Sequence, residues 1–201
     1  MKEKPIIFST PMVQAILAGN KTMTRRVIKP QPERKLTKYI FLGDSFFRDD
    51  DLNLDEVPWG NYKEAPYQVG DHLWCKETYC PDADNRPIYR ADCDSSVIRW
   101  KPSIFMPKWA ARIWLEVTAV RVERVQEITE EDAKAEGLSM ILGNMDRPST
   151  RWYFKNLWDS INAKRKPTKY DIEYQSEIGT ICPYAWASNP WVWVYSFRRT
   201  N

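Results

Sequence analysis

An α+β protein, built on a small mixed β-barrel or curled sheet with flanking helices, is predicted by three features of the sequence. Helical and extended patterns follow one another as helix, strand, long loop, strands, long strand, short helix, helix and final strand. The longest strand pattern slips in phase midway, which suggests a bulge. The last strand, "PWVWVYSFRR", is apolar on both faces, as a central or barrel position requires.

The first helix is read from "TPMVQAILAG": Thr10 as N-cap, Pro11 at the first helical position, Val13, Ile16 and Leu17 on one face, and Gly19 just past the end. Residues 22 to 28 should then run extended, with Thr24 and Arg26 on one face and a turn that reorients Lys21. Residues 29 to 68, rich in proline and charge, read as a long excursion. "VGDHLWCKETY" gives a turn at Gly70 and Asp71 and a strand with Leu73, Cys75 and Glu77 on one side, and a short strand follows around "PIYRA". In "ARIWLEVTAVRVERV", Ile113, Leu115 and Val117 share a face, and after the slip Val120 and Val122 continue it. "ITEEDAKAEGL" is a short helix with Thr129 as N-cap, Asp132 in the capping-box position and Gly137 as its stop. "STRWYFKNLWDSIN" is a longer one, with Phe154, Leu157, Trp158 and Ile161 as its apolar stripe.

The 201 residues suit one domain, and 43% apolar with 28% charged residues is an ordinary globular balance. No stretch approaches the roughly 18 consecutive apolar residues that span a bilayer. The first residues lack a signal peptide's apolar run and the four cysteines do not form a secreted framework, so a cytoplasmic protein without a membrane partner is expected. Nothing in the sequence sets an oligomeric state. The net charge of +3 hides an uneven distribution: seven basic residues against one acid between Gly19 and Lys38, then six acids between Asp44 and Glu56. Two solvated loops that roughly neutralise each other explain such runs better than a polyanion site does.

Zinc can be discounted because paired C-x2-C spacings are absent and His72 and Cys75 face opposite sides of a strand. No metal or other cofactor is expected. Phosphate-loop and G-x-S-x-G motifs are absent, and the single histidine argues against His-based triads. Of the ten tryptophans, Trp114, Trp158, Trp191 and Trp193 belong to regular elements and are expected in the core. Trp59, Trp100, Trp109 and Trp186 lie near loops, where they could stack on bases.

The stretch "GNKTMTRR" places Lys21, Thr24, Arg25 and Arg26 at a helix exit. Taken alone, Lys-x-x-Thr is commonplace. The fuller "ILAGNKTMTRR" closely resembles the signature of the ASCH domain family, whose barrel is similar to the PUA RNA-binding fold. The resemblance continues through "QVGDHLW", "IWLEVTAVRVERV", "ITEEDAKAEG" and "WVWVYSF". It implies one PUA-like domain over residues 1–201, with insertions at about 29–68, 80–108 and 163–185, most like the longer ASCH proteins of bacteria and their phages and prophages.

Within that family, small amidohydrolases remove the acetyl group of N4-acetylcytidine, using a lysine and a threonine in this motif and a glutamate in the short helix. The matching residues here are Lys21, Thr24 and Glu136. A desolvated lysine can activate a threonine hydroxyl, and a carboxyl group can protonate the leaving amine. Arg25, Arg26 and Trp109 are the expected substrate-binding residues, with a modified nucleoside or RNA as partner. The alternative is an RNA-binding module, with or without ribonuclease activity, in which the basic residues contact phosphate and the loop tryptophans stack on bases.

Overall fold

The computed structural model describes residues 2–29, 31, 65–93, 95–138, 149–164 and 182–200. The regular elements are β1 (Glu3–Ile7), α1 (Thr10–Leu17), β2 (Met23–Val27), β3 (His72–Lys76), β4 (Tyr79–Pro81), β5 (Pro87–Tyr89), β6 (Trp114–Arg124), α2 (Glu130–Ala135), α3 (Thr150–Asn162) and β7 (Trp191–Arg199). Among the described residues no helix is long and apolar enough to cross a membrane. The insertions expected at 29–68 and 163–185, and Trp59 with them, lie mostly outside the described residues.

Five strands make one mixed sheet in the order β1-β3-β6-β7-β2, parallel only between β1 and β3, and β4 pairs with β5 in a separate ribbon. The phase slip in β6 is a register shift between Val117 and Ala119 opposite β7. Strand β7 is apolar throughout because it separates two cores. Trp191, Trp193, Tyr195 and Phe197 pack with Ile6, Phe8, Val13 and Leu115 on one side, while Val192 and Val194 pack with Ile128, Ala133, Phe154 and Trp158 on the other. Each fully buried valine there contributes about 1.5–3 kcal/mol of transfer free energy.

Among the described residues no backbone ladder joins the edge strands β1 and β2. Phe8 N–H bonds the Lys76 carbonyl and His72 N–H bonds that of Lys2, so the even-numbered residues of β1 face β3. The carbonyls of Pro5 and Ile7 are left on the outer side. Side chains occupy them: the Tyr67 hydroxyl donates to Pro5 O at 2.9 Å and the Arg26 guanidinium to Ile7 O at 2.9 Å. Since Arg26 belongs to β2, its side chain bridges the two edge strands.

A second polar device anchors the β4–β5 ribbon. Arg112 donates to both oxygens of the buried Glu77, at 2.9 and 3.0 Å, also pairs with Asp92, and lies 3.9 Å from the Tyr89 ring centroid. Burial still holds the Glu77 pKa above its ordinary value, against the pull of Arg112.

Several local expectations are corrected. The first strand, "EKPII", was not expected. Ser9, not Thr10, is the N-cap of α1, and its side chain makes no capping bond. Thr129 does cap α2 by accepting from Asp132 N–H, but the Asp132 carboxylate does not turn back to complete a box. It is drawn to two arginines instead. Ile161 is 42% exposed, and Asn162 takes the buried place at the end of α3, bonding Trp158 O. Trp114, expected in the core, is half-buried.

Candidate functional site

Gly19, at φ +76°, ends α1 in a backbone conformation that side chains disfavour, and the next two N–H groups, of Asn20 and Lys21, both return to the Ala15 carbonyl. This tight exit gives the expected reorientation of Lys21. Its side chain is buried, only 2% of the residue being exposed, and its ammonium donates to Met23 O (2.8 Å), Glu136 O (2.8 Å) and Glu136 Oε2 (2.9 Å). All three of its protons are thus used. Burial lowers the Lys21 pKa, and the Glu136 charge opposes but does not cancel that effect.

Glu136 is delivered by the far end of α2, where Thr22 N–H bonds Ala135 O and Lys21 forms a backbone bridge with Glu136. Gly137 makes the approach feasible. At φ +91°, a β-carbon there would lie 2.8 Å from the Ala15 Cβ and 3.1 Å from the Lys21 Cβ. Gly137→Ala should therefore destabilise the fold by about 1–3 kcal/mol through overpacking and strain. A denaturant midpoint unchanged from wild type would contradict that assignment.

Arg25 sits on the opposite face of β2 from Thr24 and Arg26, buried beneath α2 and α3. Its guanidinium bonds Glu123 Oε1 through Nε at 2.9 Å and through a second, shorter contact, and reaches Asp132 Oδ2 at 2.5 Å and Glu136 Oε1 at 3.3 Å. Arg121 closes the network through Glu123 (3.0 Å) and Asp132 (2.8 Å). Burial works against the Arg25 charge, but Glu136 and Glu123 outweigh it and raise its pKa. Glu136 is thus gripped on one oxygen by Lys21 and on the other by Arg25. Glu123 and Arg121 are members of this network that the sequence did not single out, and Asp132 was expected only as a capping-box residue.

Thr24 is buried opposite Tyr195 of β7. Among the described residues its hydroxyl has no hydrogen-bond partner. Phe197 N–H bonds Thr22 O and Ile28 N–H bonds Trp191 O, so by alternation the backbone groups of Arg25 and Val27 face the free edge of β2. A cleft of about 50 Å³ opens at that edge, lined by Thr24, Arg25, Arg26, Val27 and Glu136 from one side and by residues such as Met12, Phe154 and Leu157 from the other. Arg26 shares Thr24's face and, like Lys21, lies 5.5 Å from the Phe8 ring centroid. The structure therefore brings Thr24, Arg25, Arg26 and Glu136 to one cleft, with Lys21 directly behind Glu136. Trp109 is elsewhere. It is 59% exposed in a turn whose Lys108 pairs with Glu3 and lies over Trp114.

Neither a protein-family model nor a curated protein matches this chain. Among solved structures it is similar to an ASCH domain from Lactobacillus crispatus, with 14% identity, a TM-score of 0.40, and 98% of this chain and 79% of that one covered. It is also similar to a DUF984 protein from Enterococcus faecalis, with 10% identity, a TM-score of 0.39, and 98% and 75% covered.

Proposed function

We propose that the chain is an ASCH-type, PUA-like domain with insertions that hydrolyses an amide on a modified pyrimidine base of the N4-acetylcytidine type. The observation that carries this reading is the buried Lys21–Glu136 pair, 2.9 Å apart, behind a cleft lined by Thr24, whose hydroxyl has no partner among the described residues. About 50 Å³ is well below the ~300 Å³ of a pocket that swallows a whole small ligand. It suits a group of acetyl size, with the base held at the mouth near Met12 and Leu157.

In this reading a proton passes from Lys21 Nζ to Glu136 Oε2, which removes two charges from a desolvated site and leaves an amine. The amine takes the Thr24 proton, directly or through a water, as Oγ1 attacks the acyl carbon. When the C–N bond breaks, Glu136 gives its proton to the departing exocyclic amine. Water then attacks the acyl-threonine, losing a proton to Glu136, and the threonine oxygen recovers its own from Lys21. Arg25 is assigned to holding Glu136 in place.

The test is acetate release from N4-acetylcytidine by the wild type. Because the steps need the one proton that Lys21 and Glu136 share, turnover should fall with rising pH along a limb whose midpoint lies below 10.5, the ordinary lysine value. Absence of turnover across the pH range would remove the hydrolase reading.

A further inference from the structure

We propose that Asp132 and Glu123 are positioning residues that, by drawing Arg25 away from Glu136, set how firmly Lys21 and Glu136 hold the proton they share; the effect on turnover rests on the hydrolase reading above. The Arg25 guanidinium makes four contacts with carboxylates, and they are unequal. Three go to Glu123, through Nε at 2.9 Å and through Nη2, and to Asp132, through Nη2 at 2.5 Å. Glu136 receives the remaining one, from Nη1 at 3.3 Å, the longest of the set. A guanidinium grips a carboxylate best through two short parallel bonds, and Glu136 is denied them. Its short side-chain contact comes from Lys21 instead, at 2.9 Å.

The groups that face the pair come from several elements. Burial is the main cause of the lowered Lys21 pKa, Glu136 opposes it, and the charges of Arg26 and Arg25, both on β2, lower it further. Glu123 and Arg121 come from β6 and Asp132 from α2, whose Glu131 and Lys134 are exposed. α1 carries no charged residue, and α3 lines the cleft with Phe154, Leu157, Trp158, Ile161 and Asn162. Arg121 stands on the outer side of the network, its side chain 41% exposed, and donates to Glu123 Oε2 at 3.0 Å and to Asp132 Oδ2 at 2.8 Å. It competes with Arg25 for the same two carboxylates.

The carboxylates and Arg121 therefore act on the pair in opposite directions. Neutralising Asp132 or Glu123 removes a negative charge and releases Arg25 toward Glu136, so the pair gives up its proton more readily. Neutralising Arg121 removes a positive charge and leaves both carboxylates to Arg25, so the pair keeps its proton to higher pH. Residues that merely supported the fold would have no reason to produce shifts of opposite sign.

The experiment follows the Lys21 Cε signal by NMR through alkaline pH, using isotope-labelled lysine in the wild type, Asp132→Asn, Glu123→Gln and Arg121→Gln; the signal is identified by its loss in Lys21→Arg. In the wild type its midpoint should lie below 10.5. Each carboxylate variant should lower that midpoint by about half a pH unit or more, and Arg121→Gln should raise it by about as much. The alkaline limb of acetate release should move with it, with kcat about three- to tenfold lower in the carboxylate variants and KM within about twofold of wild type. Asp132 and Glu123 lie on different elements, so a variant whose melting midpoint shows that it is folded tests the idea even where the other fails to fold. Midpoints unmoved in the folded carboxylate variants, or moved the same way by Arg121→Gln, overturn the proposal. Shifted Lys21 midpoints without acetate release by the wild type support the positioning role and remove the hydrolase; acetate release with unmoved midpoints does the opposite.

Discussion

Thr24→Ala should slow acetate release from N4-acetylcytidine by at least about a thousandfold, since removing a nucleophile that acts with its base costs factors of about 10³ to 10⁶ in comparable hydrolases. The fold should barely notice. Thr24 is buried but its hydroxyl has no partner among the described residues, so the change removes one methyl and one uncommitted polar group from a strand. A loss of about 1 kcal/mol, or about 2–4 °C in melting midpoint, is expected. Thr24→Val keeps the β-branched shape and should be equally inactive, while Thr24→Ser should keep part of the activity. Undiminished acetate release by the valine variant would show that Oγ1 is not the attacking atom.

Arg25→Met should cost about 3–5 kcal/mol of stability, the range for removing one partner of a buried charge network. Arg25 contacts three carboxylates, of Glu123, Asp132 and Glu136, and its side chain is only 1% exposed. Methionine roughly replaces its volume but leaves Glu123 and Asp132 to Arg121 and Glu136 to Lys21. Arg25→Lys should rescue little, because a single ammonium cannot span three carboxylates as a planar guanidinium does. Urea midpoints of the wild type and the two variants measure this directly, and a lysine variant restored to the wild-type midpoint would mean that one nearby charge suffices without the planar guanidinium.

Features carried by local chemistry were the ones readable from sequence. The Gly19 stop, the Thr129 cap, the β6 slip and the two-faced apolarity of β7 each follow from a few neighbouring residues. β1 was missed because "EKPII" has a proline at its centre and shows only Ile6 buried within the strand, as an edge position allows. The shift of the α1 cap from Thr10 to Ser9 is the one-residue ambiguity usual at helix ends. The meeting of Lys21 with Glu136 spans 115 positions and was expected only through the family resemblance. Arg25 was expected at the substrate, and it does line the cleft, but its packing among three carboxylates could not be read from the motif. Its partners Glu123 and Asp132 are about a hundred positions away, beyond any periodicity. Arg26 could be placed on Thr24's face from strand alternation alone, but its bond to Ile7 O depends on how two distant edge strands meet.

The side-chain bridges along β1 also bear on self-association. An exposed strand edge is a template on which a second chain can add its own strand and start a fibre. Here the template is spoiled twice: Pro5 offers no N–H, and the outward carbonyls of Pro5 and Ile7 are already taken by Tyr67 and Arg26. An incoming strand would have to displace a phenol and a guanidinium to find acceptors, and would still lack a donor opposite Pro5. Among the described residues, this side of β1 therefore offers no ready template for aggregation.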